Sequence, residues 1–139
     1  MPAKDLYHDI VRIALEKDGW TVTNDPYKLK VRDSEYDVDL GAEKLFAATR
    51  GPEKIVVEVK SFLRQSKTYE LHQALGQFNT YSFGLTKQEP DRKLFLAVPD
   101  LIYEDFFQIL FIQDLIQHYR LKIVTFNIDD ESITEWIEF

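Results

Sequence analysis

Between about Lys4 and Lys17, apolar residues fall at Leu6, Ile10, Ile13 and Ala14, with Val11 beside them. This is helical spacing, and Asp18-Gly19 supplies the stop. Trp20 to Thr23 reads as a short strand, and Pro26 marks a turn. Tyr27 to Arg32 alternates apolar and basic residues as a half-exposed strand does. Tyr36 to Leu40 alternates again, with Tyr36, Val38 and Leu40 on one face and Asp37 and Asp39 on the other. Gly51-Pro52 reads as a turn, and Ile55 to Lys60 as a strand with a strongly apolar start. The helical period returns from about Thr68 to Leu85, where Leu71, Leu75 and Phe78 form a stripe. Lys93 to Val98 is an apolar strand stopped by Pro99, about 101–119 reads as a helix, and Lys122–Phe126 and Ile133–Ile137 as closing strands.

A run of strands followed by helix–strand alternation predicts a mixed α/β (α+β) domain, with a central mixed sheet flanked by helices. The chain has 139 residues, 45% of them hydrophobic and 14% aromatic, which suits one domain over 1–139 with a sizeable core. Disorder and fibrous repeats are excluded. Without cysteine there is no disulfide framework and no Cys-ligated zinc or iron–sulfur centre. No apolar run approaches the roughly 20 residues that span a bilayer. The N-terminal stretch is charged throughout, so the expectation is a soluble cytoplasmic protein with no membrane role.

Charge changes the picture once it is divided. The formal net charge is -7, from 17 basic and 24 acidic residues. Residues 1–69 hold 12 of each sign, and residues 70–139 hold 5 basic and 12 acidic. The acidic surplus therefore lies in the second half. DNA contact through the neutral half is expected to be weak and salt-sensitive, leaving the acidic half for a protein partner.

The segment with the most chemistry is IVVEVKSF, 55–62. On a strand, Glu58 and Lys60 share one face, and Val57 and Val59 take the other. A Glu and a Lys closing an apolar strand are costly to bury unless paired or used. If the strand carrying Asp37 and Asp39 pairs with this one, an aspartate meets Glu58 and Lys60. Two converging carboxylates form a hard oxygen site suited to Mg²⁺ or Mn²⁺, and a neighbouring lysine can orient water and stabilise phosphate charge. The same alternation also describes a solvent-facing strand, and E-x-K alone is a common tripeptide.

Asp39…Glu58-Val59-Lys60 resembles the D…(D/E)-x-K core of the PD-(D/E)XK nuclease superfamily. EKDGWTVTNDP (16–26), VDLGAEKLFAA (38–48), KIVVEVKSF (54–62), LHQALGQF (71–78) and DRKLFLAVP (91–99) resemble, in order, the XisH family. These are cyanobacterial excision-controlling factors associated with the fdxN element. The resemblance implies a restriction-endonuclease-like fold, with Asp39 and Glu58 as metal ligands, the Val59 carbonyl as a third, and Lys60 as the catalytic lysine. Val38 stands where many members have proline. It further implies a glutamine facing the site from the next helix. Gln73 and Gln77 are four apart and share a face opposite the Leu71–Leu75–Phe78 stripe, which also suits a solvated surface. An acidic residue on the first helix often joins the site, for which His8, Asp9 and Glu16 are the candidates. A histidine at position 8 is more often a surface or N-terminal-turn residue than a ligand.

Arg64, Lys67 and Lys44 lie near the motif in sequence, and Lys28, Lys30 and Arg32 line one strand face; each suits phosphate contact or plain solvation. In 104–119 apolar residues surround the expected helix almost completely, which implies deep burial or cover by another chain. A homo-oligomer or a hetero-complex is expected, and the XisH resemblance implies an XisI-type companion. Two functions follow: a Mg²⁺- or Mn²⁺-dependent endonuclease in DNA rearrangement, or a non-hydrolysing accessory factor that binds DNA, a recombinase or an XisI-type protein.

Overall fold

A computed structural model of the chain describes residues 6–45 and 52–139. The first helix, α1 (His8–Lys17), buries Val11, Ala14 and Leu15 and leaves Leu6 and Ile13 exposed. Of the expected Leu6, Ile10, Ile13 and Ala14 positions Ala14 lies inside, and the inner face is rotated from the others toward Val11 and Leu15. Gly19 ends it at φ 92°, in the left-handed region that glycine enters without steric cost.

Three strands follow before the main sheet is complete. β1 (Thr21–Asn24) lies at one sheet edge, and β2 (Tyr27–Val31) with β3 (Ser34–Val38) forms a separate antiparallel hairpin. The expected strand Tyr36–Leu40 is broken at Asp39: β3 ends at Val38, and β4 (Leu40–Leu45) enters the six-stranded sheet. β5 (Pro52–Val59) pairs antiparallel with β4, and Pro52 is its first residue rather than part of a free turn. Gly51 and the end of the 38–48 motif lie outside the described residues.

Helix α2 (Lys67–Gln88) crosses over to β6 (Lys93–Pro99), which runs parallel to β5. The Ser66 hydroxyl caps α2 by accepting the Tyr69 N–H at 3.1 Å. β7 (Ile123–Asn127) is parallel to β6, and β8 (Ser132–Ile137) closes the far edge antiparallel. The sheet order is β1-β4-β5-β6-β7-β8.

Two cores lie on opposite faces of this sheet. Leu40, Ile55, Val57, Val59, Phe95, Val124 and Phe126 pack with Val11, Leu15 and Trp20 on the α1 side. Val56, Leu94, Leu96 and Ile123 pack with Leu71, Ala74, Phe78, Tyr81 and the hairpin's Tyr27 and Leu29 on the α2 side. Central parallel strands covered on both faces explain the unbroken apolar runs of β5 and β6. Fully burying each such Val, Leu or Phe contributes about 1.5–3 kcal/mol.

The expected helix over 101–119 is three pieces: α3 (Asp100–Glu104), a 3₁₀ turn (Phe106–Gln108) and α4 (Leu110–His118). Ile109, at φ -58° and ψ 129°, is extended between them. The break turns the adjacent Phe106 and Phe107 inward together with Ile112 and Ile116. A continuous helix would splay these neighbours around its circumference. Leu101, Ile109, Leu110 and Phe111 stay exposed, at 69%, 53%, 82% and 70%. Among the described residues no helix is long and apolar enough to cross a membrane.

Candidate active site

The β4–β5 ladder places Leu40 opposite Val57, so one step further along the same register Asp39 faces Glu58. Asp39 sits at the junction between hairpin and main sheet, where the chain changes direction. Its Oδ2 accepts the Val59 N–H at 2.8 Å, which ties the junction to the end of β5. The Asp39 and Glu58 carboxyls meet side chain to side chain.

Glu58 shares the α2-facing side of β5 with Val56 and is only 8% exposed. Burial, followed by the Asp39 carboxylate, pushes its carboxyl up to about 9, against the opposing charge of Lys60. Glu58 is therefore protonated at neutral pH. Burial also pushes Asp39 up, but the contacts with His8, Glu58 and the Val59 amide outweigh it and hold Asp39 below the usual aspartate value. The pair holds one proton between two carboxyls, as like charges in a shared buried site must.

Lys60 lies just beyond β5, half-buried, and its N–H donates to the Ala97 carbonyl at 2.9 Å. Two residues later the buried Phe62 adopts φ 56°, unusual for a bulky residue, and its ring meets Phe107 edge-on at 5.3 Å. This sharp bend takes the chain out of the sheet straight after Lys60. Glu70, buried in the first turn of α2, accepts the Arg64 N–H at 3.2 Å and pins the same loop.

Of the first-helix candidates, His8 reaches the site. Its side chain is 3% exposed, with Nε2 at 2.7 Å from Asp25 Oδ1 and Nδ1 at 3.7 Å from Asp39 Oδ1. Arg12 Nη1 donates to the other Asp25 oxygen at 2.7 Å. The Asp39 contact raises the His8 imidazole above its ordinary value; burial opposes this and Asp25 assists it. Asp9 is exposed, and Glu16 lies in an outer ion pair with Arg12 at 3.9 Å.

The two glutamines part company. Gln73 is exposed, whereas Gln77 lies on the packed side of α2 between Ala74 and Tyr81, its Oε1 buried without a hydrogen-bond partner. Their expected position opposite the apolar stripe holds for Gln73 alone. Asp37 is also separated from Asp39: it takes the Lys28 ammonium at 2.7 Å across the hairpin. Lys30 and Arg32 are exposed. Lys44 pairs opposite Glu53 at the other end of the β4–β5 hairpin and donates to the Asp18 carbonyl, so it is remote from the motif.

Two side chains that the motif does not name also belong here. Asp25 anchors His8, and the buried Tyr81 hydroxyl is pushed up to about 12 by burial and by the charges of Glu58 and Asp39. Tyr81 could have been found as the next inward position after Ala74 and Gln77; Asp25 carries no such periodic signal. Among the described residues no three His, Asp or Glu side chains already surround one point as an ion's cage. The Asp39 and Glu58 carboxyls that do meet are oxygen donors chemically suited to a hard divalent ion, and His8 Nδ1 stands 3.7 Å from Asp39 on its other side.

The family profile described as XisH protein matches residues 1–134. The crystal structure of an XisH family protein from Nostoc punctiforme PCC 73102 is 43% identical, with a TM-score of 0.87 over 96% of this chain and 99% of that one. That of an fdxN element excision controlling factor protein from Anabaena variabilis is 42% identical, with the same TM-score and coverage. No curated protein matches the chain. A profile over nearly the whole length and two solved relatives of the same fold leave a plain conclusion: the chain belongs to the XisH family.

Proposed function

We propose that the protein is a cytoplasmic factor in the excision of a DNA element, as the name of its Anabaena relative suggests, and that it carries a PD-(D/E)XK-type centre for phosphodiester hydrolysis. The observation that supports this best is the meeting of the Asp39 and Glu58 carboxyls across β4 and β5, with Lys60 two residues beyond Glu58. Asp39, Glu58 and the Val59 carbonyl would hold the ion, Mg²⁺ or Mn²⁺. When bound, such an ion lowers the pKa of water and offsets charge on the scissile phosphate. Asp39 is kept ionised and oriented by the Val59 amide. Glu58 stores a proton that it must release before it can act as a ligand. The Lys60 ammonium positions the attacking water and stabilises the developing phosphate charge. Tyr81, on α2, lies within electrostatic reach of the pair, while Gln73 points to solvent.

The test is cleavage of plasmid and branched DNA with Mg²⁺ or Mn²⁺, comparing wild type with Lys60→Ala and Asp39→Asn. Losses of about 10²-fold or more are expected, in line with removal of a positioned catalytic group. Equal cleavage by all three proteins would refute the hydrolytic reading.

A second reading has its own observation. The exposed Leu101, Ile109, Leu110 and Phe111, in the acidic half of the chain, suit an accessory factor that is itself catalytically inactive and docks an XisI-type protein, a recombinase or a second copy. Co-purification with an XisI-type protein and a size measurement test it. No complex and no self-association would count against it.

A further inference from the structure

We propose that the outer face of α2 is a self-association surface, on which a second copy of this chain packs its own α2 antiparallel about a two-fold axis at Gly76. The face is separate from the exposed residues of α3 and α4. Charge sets it apart. The chain is 29% charged, yet from Thr68 to Thr86 the only Asp, Glu, Lys or Arg is Glu70, which is buried and accepts the Arg64 N–H. Depletion of charge together with exposed aromatic rings marks the centre of an interface. Tyr69 and Phe83 supply the rings, 53% and 66% exposed. At a net charge of -7, two copies repel wherever acids meet acids, and least along this neutral face. The Lys87 ammonium, 5.3 Å over the Phe83 ring, is the first charge beyond it.

The order of residues points to a second copy rather than another protein. Tyr69, Gly76 and Phe83 stand a heptad apart and drift only about 20° per step, so they lie almost on one line along the helix. His72, Gln73, Asn79 and Thr80 flank that line, and all of these residues are exposed. The order reads the same in both directions from Gly76. An antiparallel second α2 with its axis there sets Tyr69 against Phe83, His72 against Thr80 and Gln73 against Asn79. Ring meets ring, imidazole meets hydroxyl and amide meets amide, so each group finds a partner of its own kind of chemistry. Reciprocal pairing of this sort is the condition of a closed two-fold contact. A different protein docking here would not require the mirror order.

Gly76 fits the axis. A glycine in mid-helix costs about 0.5–1 kcal/mol against alanine. Within the single chain a Cβ at this position would meet nothing within 4 Å, so no contact inside the fold calls for glycine. A second helix crossing at that point does, because small residues let two backbones approach closely. The Thr80 hydroxyl donates to the Gly76 carbonyl at 2.8 Å and keeps its lone pairs for the facing His72. The exposed parts of Tyr69 and Phe83 amount to about 400–600 Å² over two chains. With the smaller residues between them, the contact belongs to the weak class below about 1,200 Å².

The experiment is sedimentation equilibrium of the full chain from about 1 μM to about 1 mM, the span in which a weak dimer forms. The wild-type mass should rise from that of one chain toward that of two. Gly76→Arg sets two like charges on the axis, and Phe83→Glu sets a carboxylate against Tyr69. Each should weaken association about tenfold or more, as loss of a central contact does. Urea unfolding in dilute solution, where each chain is single, checks that both variants fold. Leu110→Glu, on α4, should leave association unchanged. Gly76→Cys introduces the chain's only cysteine and should link two copies under mild oxidation, which needs Cα atoms within about 7 Å. Leu110→Cys should link far more slowly. A wild-type chain that stays single throughout would overturn the proposal. So would association that survives in Gly76→Arg and Phe83→Glu, association lost in Leu110→Glu, or failure of Gly76→Cys to link.

Discussion

Asp39 and Glu58 face each other across the β4–β5 register with one proton between them. The two carboxyls differ because their surroundings differ. Asp39 takes a backbone N–H and lies beside His8, both of which favour its charge. Glu58 projects into the apolar side of the sheet that faces α2, where charge is disfavoured.

Stability should therefore fall as pH rises through the range set by Glu58. Its folded-state value, about 9, lies above the ordinary 4.5, so the folded chain holds a proton that the unfolded chain has released. The contribution is complete below about 4.5 and is lost progressively up to about 9, with a slope approaching about 1.4 kcal/mol per pH unit. Glu58→Gln keeps a hydrogen-bond donor for Asp39 and removes the titration. Urea unfolding from pH 5 to 8 should show a flatter profile in the variant. Each 1 kcal/mol it gains at pH 8 is worth roughly 3–6 °C in Tm. A wild-type profile that rises over this interval would contradict the arrangement.

His8 adds a second, narrower dependence of the same sign. Asp39 first, with Asp25 assisting against burial, raises its folded value above 6.5. That stabilisation is full below about 6.5 and is lost as pH rises through the raised value. The slope near pH 5 belongs to Glu58, since His8 is protonated there in both states. His8→Gln should leave that slope intact and reduce the one just above pH 6.5. Proton NMR of the His8 ring, distinguished from His72 and His118 by this variant, gives the titration directly. A ring that titrates at or below 6.5 would contradict it.

The central strands were legible because burial on both faces demands continuous β-branched and apolar runs, and IVVEV and KLFLAV show them plainly. Glu58 and Lys60 were legible for the complementary reason: charge closing such a run stands out. The break at Asp39 was not legible. The alternation from Tyr36 to Leu40 runs in phase through the junction, so periodicity carries no sign that Val38 and Leu40 belong to different sheets. The break at Ile109 was hidden for a different reason. Crowded apolar residues fit one buried helix as well as two short ones, and packing decides. Asp25 owes its role to a contact 17 residues away, which no local pattern encodes.

Two glycines on α2 should respond oppositely to the same substitution. A Cβ at Gly76 would meet nothing within 4 Å, so Gly76→Ala should stabilise by about 0.5–1 kcal/mol through helix propensity. A Cβ at Gly84 would lie 2.8 Å from Leu29 Cδ2, and Leu29 is itself 1% exposed beneath the hairpin. Moving it costs about 1–3 kcal/mol, enough to cancel or exceed the same propensity gain. Urea midpoints at constant m-value report both. If Gly84→Ala stabilised the protein as much as Gly76→Ala, the close packing of the β2–β3 hairpin on α2 would be wrong.

Binding of a divalent ion should release protons, because the ligands must first be emptied of them. At pH 7 Glu58 carries a proton, and coordination by its carboxylate requires that it leave. Mn²⁺ affinity should rise about tenfold per pH unit while Glu58 remains mostly protonated, and level off towards about 9. Calorimetry in two buffers of different ionisation enthalpy counts the protons. About one is expected from Glu58. Removing the ion with a chelator should return the melting temperature to that of the free protein, after a stabilisation of about 2.7 kcal/mol at an ion concentration a hundred times Kd. In Glu58→Gln that proton release disappears. Affinity that is flat from pH 6 to 8, with no proton released, would mean that the ion binds elsewhere.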